Sequence, residues 1–395
     1  MKFDESSLYN IKSSLNGKRC SLFDLAVWKN GLAFKKIHFS EIGVPVIKIA
    51  ELNNGIGGTT AYTQQSFSED VHIQKGDLLF SWSGNPKTSI DIFRFKLDEG
   101  WLNQHIFKVN PNETLVDTDY FYFLMKNLKQ HFTQIATNKQ TTGLGHVTIS
   151  DIKRMSVIVP SLKIQRAIVS YIKPIDDKIE LNNEINNNLE QQAQAIFKSW
   201  FIGFEPFSNR KPSDWSVSTL GNVSIMGAGG DKPQNVSLIR TDLYKYPIYS
   251  NGLSNEGLYG FTDKPKISEE SVTVSARGTI GFVCLRHIPY APIVRLVTLI
   301  PKTEIVSAKY LYLWLKQLHI TGTGTTQQQL TVPDFQKTEI LVPSQKIVTL
   351  FTAAVEPIFE KIWANQNENE KLSSLRDTLL PKLMSGELDV SDIEI

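Results

Sequence analysis

Residues 148–189 read TISDIKRMSVIVPSLKIQRAIVSYIKPIDDKIELNNEINNNL, and residues 331–372 read TVPDFQKTEILVPSQKIVTLFTAAVEPIFEKIWANQNENEKL. A shift of 183 overlays them and makes identical pairs of Thr148/Thr331, Asp151/Asp334, Val159/Val342, Pro160/Pro343, Pro174/Pro357, Asn182/Asn365, Asn186/Asn369 and Leu189/Leu372. Upstream the likeness continues at other shifts. Tyr120, Tyr122 and Lys126 fall on Tyr310, Tyr312 and Lys316 at 190, and Phe80–Gly84 falls on Val274–Gly278 at 194. A shift that changes along the chain means two copies of one domain with loops of unequal length. The chain is an internal repeat.

Within each copy, short β-branched and aromatic runs bounded by Gly, Asn or Pro predict strands, among them Val44–Ile49, Asp77–Trp82 and Ser271–Ala276. One amphipathic helix is expected near Tyr120–Gln130 and its counterpart at Ala308–Leu318. The fold class is therefore α+β, with two similar domains at 1–160 and 215–343. Long helices follow each domain at 161–200 and 344–385, with a linker at 201–214 and a tail at 386–395. The linker, FIGFEPFSNRKPSD, starts apolar and turns polar, as a docked segment would.

Both helices carry an apolar seam at alternating spacings of four and three. In the first it runs Ile168, Ile172, Ile175, Ile179, Asn182, Asn186, Leu189, and in the second Phe351, Val355, Ile358, Ile362, Asn365, Asn369, Leu372. That is coiled-coil patterning, and Asn at core positions fixes register at a cost in stability. Antiparallel pairing about the helix centres sets Asn182 against Asn369 and Asn186 against Asn365. Reach favours it: the helix spans roughly 60 Å, and a fourteen-residue linker returns at most about 50 Å. The expected arrangement is an antiparallel pair relating the two copies by a pseudo-twofold axis. Pro174 and Pro357 are expected to kink each helix near its start. The stretch beyond, 175–200, is roughly 39 Å long, close to the ~34–36 Å between DNA half-sites one turn apart.

Composition permits a nucleic-acid partner without demanding one. The net charge is only +2, yet residues 1–160 carry 18 Lys and Arg against 15 Asp and Glu, and residues 201–343 carry 14 against 11. Acidic excess collects in residues 344–395, with 9 acidic against 5 basic groups. The two cysteines, Cys20 and Cys284, make no disulfide framework and suit a reducing cytoplasm. No apolar run is long enough to span a membrane, and Met1–Asn10 has no apolar segment of the signal-peptide kind.

Two pairs of repeat-related loops are candidate DNA readers. Ser81–Asn85 and Ser275–Thr279 follow strands and contain glycine. From the first and its flank, Ser81, Ser83, Asn85 and Lys87 are candidates; from the second, Arg277 and Thr279. Arginine suits guanine or a phosphate, and asparagine suits adenine; the plain alternative is a solvated turn. Lys139–His146 and Thr321–Gln329 are polar and glycine-containing, and offer Thr141, Thr142, His146, Thr325, Gln327 and Gln328. Their plain alternative is a connector. Thr148 with Asp151, and Thr331 with Asp334, fit helix-capping boxes and are assigned to structure. Tyr120, Tyr122, Tyr310 and Tyr312 are read as core, and Trp200 and Trp363 as helix-packing anchors.

Catalytic motifs fail on inspection. Gly84-Asn-Pro-Lys-Thr88 has Pro86 where a phosphate loop needs glycine, and Lys87 where an adenine methyltransferase needs a second proline. Gly227–Gly230 runs into Asp-Lys-Pro instead of a helix N-terminus, and the seven histidines show no ligand spacing. Pro333-Asp334 lacks the Glu-x-Lys of a nuclease. No catalytic residue, metal site or cofactor is expected in this chain.

Leu375–Asp389, LRDTLLPKLMSGELD, resembles the C-terminal signature of Type I restriction–modification specificity subunits, and Gln194–Phe207, QAIFKSWFIGFEPF, resembles their central one. Thr148–Gln165 and Thr331–Val348 resemble the ends of that family's target-recognition domains. The likeness spans nearly the whole chain, loosely in the reading domains. It implies a non-catalytic, DNA-binding subunit for a bipartite, asymmetric site in double-stranded DNA. It also implies two modification subunits that use S-adenosylmethionine to methylate adenine, and restriction subunits that use ATP and Mg to translocate and cleave. Two other readings compete. A self-sufficient methyltransferase or nuclease lacks its motifs here, and a coiled-coil scaffold without a DNA role leaves the signatures unexplained.

Overall fold

Apolar runs of four or five residues are too short to bury a helix face, and they form strands in two copies of one sheet arrangement. The computed structural model describes residues 13–141, 143–322 and 329–390. It divides into two compact units, one of residues 1–181 with 368–395, the other of residues 182–367. Both boundaries fall inside the long helices.

In the first unit, β1 (Ala26–Asn30), β2 (Leu78–Ser81), β3 (Asp91–Arg94) and β4 (Ile106–Pro111) form an antiparallel sheet in the order β1-β4-β2-β3. All four residues of β2 are buried, because the sheet is covered on both faces. One face receives α1 (Thr118–Asn127), which begins where the Asp117 carboxylate accepts from the Asp119 and Tyr120 N–H groups. The other side carries a second sheet, in which Val44–Ile47 pairs in parallel with Glu99–Leu102. A two-stranded ladder of Gly17–Ser21 with Ser156–Pro160 leads into α2 (Leu162–Phe201).

The second unit repeats the plan. β5 (Ser224–Ala228), β6 (Ser271–Val274), β7 (Val283–Arg286) and β8 (Val297–Pro301) take the order β5-β8-β6-β7, the same permutation. Tyr246–Tyr249 pairs in parallel with Ala291–Pro292, as the corresponding strands do in the first copy. α3 (Ala308–Leu315) is capped by Ser307, and Ser216–Thr219 with Glu339–Val342 forms the ladder leading into α4 (Gln345–Ser385). The chain is α+β and internally duplicated.

Each unit holds part of both long helices. In the first, Ile168 and Ile172 of α2 share one core with Leu380, Leu383 and Met384 of α4. Arg376 Nη1 donates to Asp176 Oδ1 at 2.8 Å, and Asn369 Nδ2 lies 3.5 Å from the Ile179 carbonyl oxygen. In the second, Ala193, Phe197 and Phe201 pack with Phe351, Val355 and Phe359. Within each unit, rising numbers on one helix meet falling numbers on the other, so the pairing is antiparallel. Asn186 meets Asn365 as the spacing predicts, with a hydrogen bond of 2.8 Å. Asn182 and Asn369 belong to different units. Asn182 and Asn365 are buried, Asn186 and Asn369 half-buried. Both helices continue through Pro174 and Pro357, with no interruption of helical structure.

The start of the linker is docked: Phe201, Phe204 and Phe207 lie 5.6, 5.9 and 5.0 Å, ring to ring, from Trp215. Tyr120 and Tyr310 are core residues. Trp363 stacks on His287 at 4.1 Å. Among the described residues, no helix is long and apolar enough to cross a membrane.

Candidate nucleic-acid interface

Two loops some sixty residues apart in sequence meet in the first unit. Beyond β2 the chain forms a two-residue strand, Ser83–Gly84, which pairs antiparallel with Gly145–His146. The Val147 N–H donates to the Trp82 carbonyl at 2.8 Å and continues the junction. Both glycines are sterically required. A Cβ on Gly84, whose φ is +124°, would lie 2.6 Å from Ser89 Cβ, and one on Gly145 would lie 2.2 Å from the Ala136 carbonyl oxygen.

The turn that follows is self-supporting. Asn85 Oδ1 accepts from the Lys87 N–H at 3.0 Å, the Asn85 carbonyl accepts from the Ser89 N–H at 2.8 Å, and Thr133 Oγ1 donates to the Pro86 carbonyl at 3.2 Å. The side chains of Asn85 and Lys87 are exposed, and those of Ser83 and His146 half-buried. On the opposing segment, Thr141 and Leu144 exchange both backbone hydrogen bonds, at 3.0 and 3.1 Å, around a tight turn, and both are exposed. The root of this turn is an ion pair: Lys139 Nζ lies 2.6 Å from both oxygens of Asp151, which is fully buried. Burial raises the Asp151 pKa, but hydrogen bonds from Lys139 and Thr148 outweigh it and hold the carboxyl below its ordinary range. Thr148 and Asp151 also form the expected capping box, so one carboxylate starts a helix and anchors a loop.

The second unit makes the same junction. The Leu330 N–H donates to the Ala276 carbonyl at 3.0 Å, at the positions equivalent to Val147 and Trp82. Arg277 Nη2 donates to Gln329 Oε1 at 3.0 Å, bridging the loop after β6 to the end of the polar segment. Asn251 braces this loop from behind, accepting from the Ala276 N–H at 2.7 Å and donating to the Val294 carbonyl at 2.6 Å. Gly278 and Gly281 have φ of +69° and +85° and carry the chain through a turn that side chains resist. Arg277 and Thr279 are exposed.

Of the described candidates, one is buried. Ser81 is a core residue: it is fully buried as the last residue of β2, so its hydroxyl is out of reach of an external groove. Thr142, Thr325, Gln327 and Gln328 lie outside the described residues. Sequence reasoning missed Trp82, whose Nε1 donates to Asn30 Oδ1 at 3.1 Å and whose ring stacks on Phe107, and it missed Asn251. Trp82 lies in the repeated segment but aligns with Ala276 in the second copy, and Asn251 lies outside the matched segments, so the repeat singled out neither side chain. Gly84–Thr88 is a short strand and turn, and among the described residues no group of three or more His, Cys, Asp or Glu side chains is placed to hold a metal ion.

Residues 18–191 and 212–372 each match the family described as Type I restriction modification DNA specificity domain. The chain is similar to the Type I restriction enzyme HindI specificity subunit of Haemophilus influenzae, 26% identical, with 80% of this chain and 87% of that one covered. It is similar also to the Type I restriction enzyme MjaIX specificity subunit of Methanocaldococcus jannaschii, 27% identical over 74% of this chain and 73% of the relative. Among solved structures, the Type I restriction–modification system S subunit from M. genitalium superposes with a TM-score of 0.52 at 17% identity, covering 94% of this chain and 96% of that one. At that identity the likeness speaks for the fold.

Proposed function

The chain belongs to the Type I restriction–modification DNA specificity family, and on that premise we propose that its two units read the two halves of a bipartite, asymmetric site in double-stranded DNA. The single observation that supports this reading is the loop junction built twice, Trp82 with Val147 and Ala276 with Leu330. The same frame holds different side chains, Asn85 and Lys87 in one copy, Arg277 and Thr279 in the other. A common frame with unlike exposed groups suits two unlike half-sites, because base edges distinguish donors and acceptors by geometry.

In this reading the chain contributes no chemistry of its own. Two modification subunits bring S-adenosylmethionine and methylate one adenine in each half-site, and restriction subunits bring ATP and Mg for translocation and cleavage. The paired long helices set the gap between the halves.

The test is co-expression with the cognate methyltransferase in a methylation-free host, followed by genome-wide mapping of methylated adenine. A split motif of two defined halves around an undefined gap is expected, and it should vanish when this chain is omitted. A continuous motif, or methylation that persists without the chain, rejects the proposal.

A further inference from the structure

Two isoleucines project from equivalent points of the two copies. In the first unit the Ser40 N–H donates to the Tyr62 carbonyl at 2.9 Å across an isolated antiparallel bridge, and Tyr62 pairs on its other side with Pro45. In the second the Ser237 N–H donates to the Phe261 carbonyl at 2.9 Å across the same kind of bridge, and Phe261 pairs on its other side with Pro247. Each serine hydroxyl then reaches forward two residues: Ser40 Oγ donates to the Ile42 carbonyl at 2.7 Å, and Ser237 Oγ to the Ile239 carbonyl at 2.6 Å. The isoleucine so held is left in solvent, Ile42 at 68% exposure and Ile239 at 73%. Ser40 and Pro45 are five positions apart, and Ser237 and Pro247 ten, so no constant shift reveals the match.

One exposed isoleucine needs no explanation. The same one, fixed by the same hydroxyl on the same bridge in two diverged copies, points to a ligand that both copies meet. Each tip is far smaller than the ~1,000 Å² that a specific protein interface needs. Its neighbours suit a polyanion: exposed Lys35 and Lys36 outnumber Glu41 in the first loop, and exposed Arg240 and Lys245 outnumber Asp242 in the second. An aliphatic side chain flanked by cations fits the major groove, where thymine presents its methyl group.

We propose that Ile42 and Ile239 are paired aliphatic probes, each packing on a thymine methyl in its own half-site. The inference rests on the reading above, under which each half-site contains a methylated adenine and therefore at least one thymine opposite.

The test uses the methyltransferase complex assembled with the parent chain, Ile42→Ala or Ile239→Ala. Affinities are measured for the cognate duplex, for duplexes with uracil replacing thymine in one half-site, and for an unrelated duplex. Each variant should bind the cognate duplex about tenfold more weakly. The loss should match that of the parent on the uracil duplex of one half-site, without adding to it, and binding to the unrelated duplex should stay unchanged. Ile42→Val and Ile239→Val should retain most of the affinity. Unchanged cognate binding, or losses that add to those from uracil, overturns the proposal. So does failure of the variants to assemble with the modification subunits, since the tips would then face protein. If the parent itself fails to discriminate the cognate from the unrelated duplex, the specificity reading fails first. If the parent discriminates and the variants equal it, only the present proposal falls.

Discussion

Asn365 donates from Nδ2 to Asn186 Oδ1 at 2.8 Å, joining α4 to α2 through two amides inside the second unit. Asn365 is only 1% exposed, so its amide depends on that partner. Replacing Asn186 by Leu strands a buried donor, and a loss of roughly 1–3 kcal/mol in unfolding free energy is expected. Replacing both by Leu removes the stranded amide and adds apolar packing, so stability should return to the parent value or exceed it. What the double variant should lose is register, since an Asn–Asn pair penalises every slipped alignment. Urea denaturation reads the first effect, and native mass spectrometry of the assembled complex reads the second as added oligomeric forms.

The Lys139–Asp151 pair gives a prediction with a pH signature. Asp151 is held below the ordinary carboxylate value of 3.8 despite its burial. A depressed folded-state pKa contributes stability that is present above the unfolded value and is lost as pH falls through the folded one. Asp151→Asn should therefore cost about 2–3 kcal/mol at neutral pH and flatten the loss of stability below pH 3.8. Lys139→Met should cost less at neutral pH, because Arg154 Nη2 still donates to Asp151 at 2.9 Å. Thermal unfolding from neutral to acid pH checks both. An unchanged acid limb in Asp151→Asn means that other carboxylates govern it.

The repeat was legible because selection on helices and caps leaves periodic traces. Thr148 and Thr331 recur because each hydroxyl caps a helix by accepting from the backbone N–H of Asp151 or Asp334, with a full capping box recorded at Asp151, and the seam recurs because its apolar positions pack in cores that hold both long helices. Asn186 could be matched to Asn365 because antiparallel register is arithmetic about a centre. Tertiary placement was not legible. Ser81 falls both in the expected strand Asp77–Trp82 and in the candidate loop Ser81–Asn85, and only its pairing with β3 and β4 on either side decides for the strand. Ser40 and Ser237 escaped notice because the loops after them differ in length, and only the bridges to Tyr62 and Phe261 equate them. The unit boundaries at 181/182 and 367/368 were equally hidden, since an unbroken helix gives no compositional sign of where one core ends.

If Lys87 and Arg277 meet DNA, their contributions should differ in kind. Lys87 is exposed, and its side chain has the character of a phosphate ligand. Lys87→Ala should weaken specific and nonspecific binding alike and reduce the slope of log affinity against log salt by about 1. Arg277 is exposed and its Nη2 donates to Gln329 Oε1 at 3.0 Å, and a guanidinium is the side chain suited to bidentate recognition of guanine. Arg277→Ala should cost about 1–3 kcal/mol on the cognate duplex and relax the motif at one position of the second half-site. Equal loss on all sequences would mark Arg277 as a phosphate contact. Fluorescence anisotropy across a salt series separates these outcomes.

The last prediction concerns where the chain can be cut. Residues 215–343 hold the strands of the second unit, but its core also takes Ala193, Phe197 and Phe201 from α2 and Phe351, Val355 and Phe359 from α4. A chimera exchanging only residues 215–343 for those of a relative sets foreign strands against resident helix side chains, and each mismatched aromatic carries a packing cost. Exchange of residues 182–367 moves the core as one body. Both chimeras should change one half of the methylated motif and keep the other, but the longer exchange should melt several degrees higher and give more soluble complex. Inserting seven residues at both 181/182 and 367/368 leaves both cores whole and adds about 10 Å of helix. At ~3.4 Å per base pair the gap should grow by about three base pairs with both halves unaltered. A gap of unchanged length in that variant would separate helix length from DNA spacing and remove the paired helices from their role as spacer.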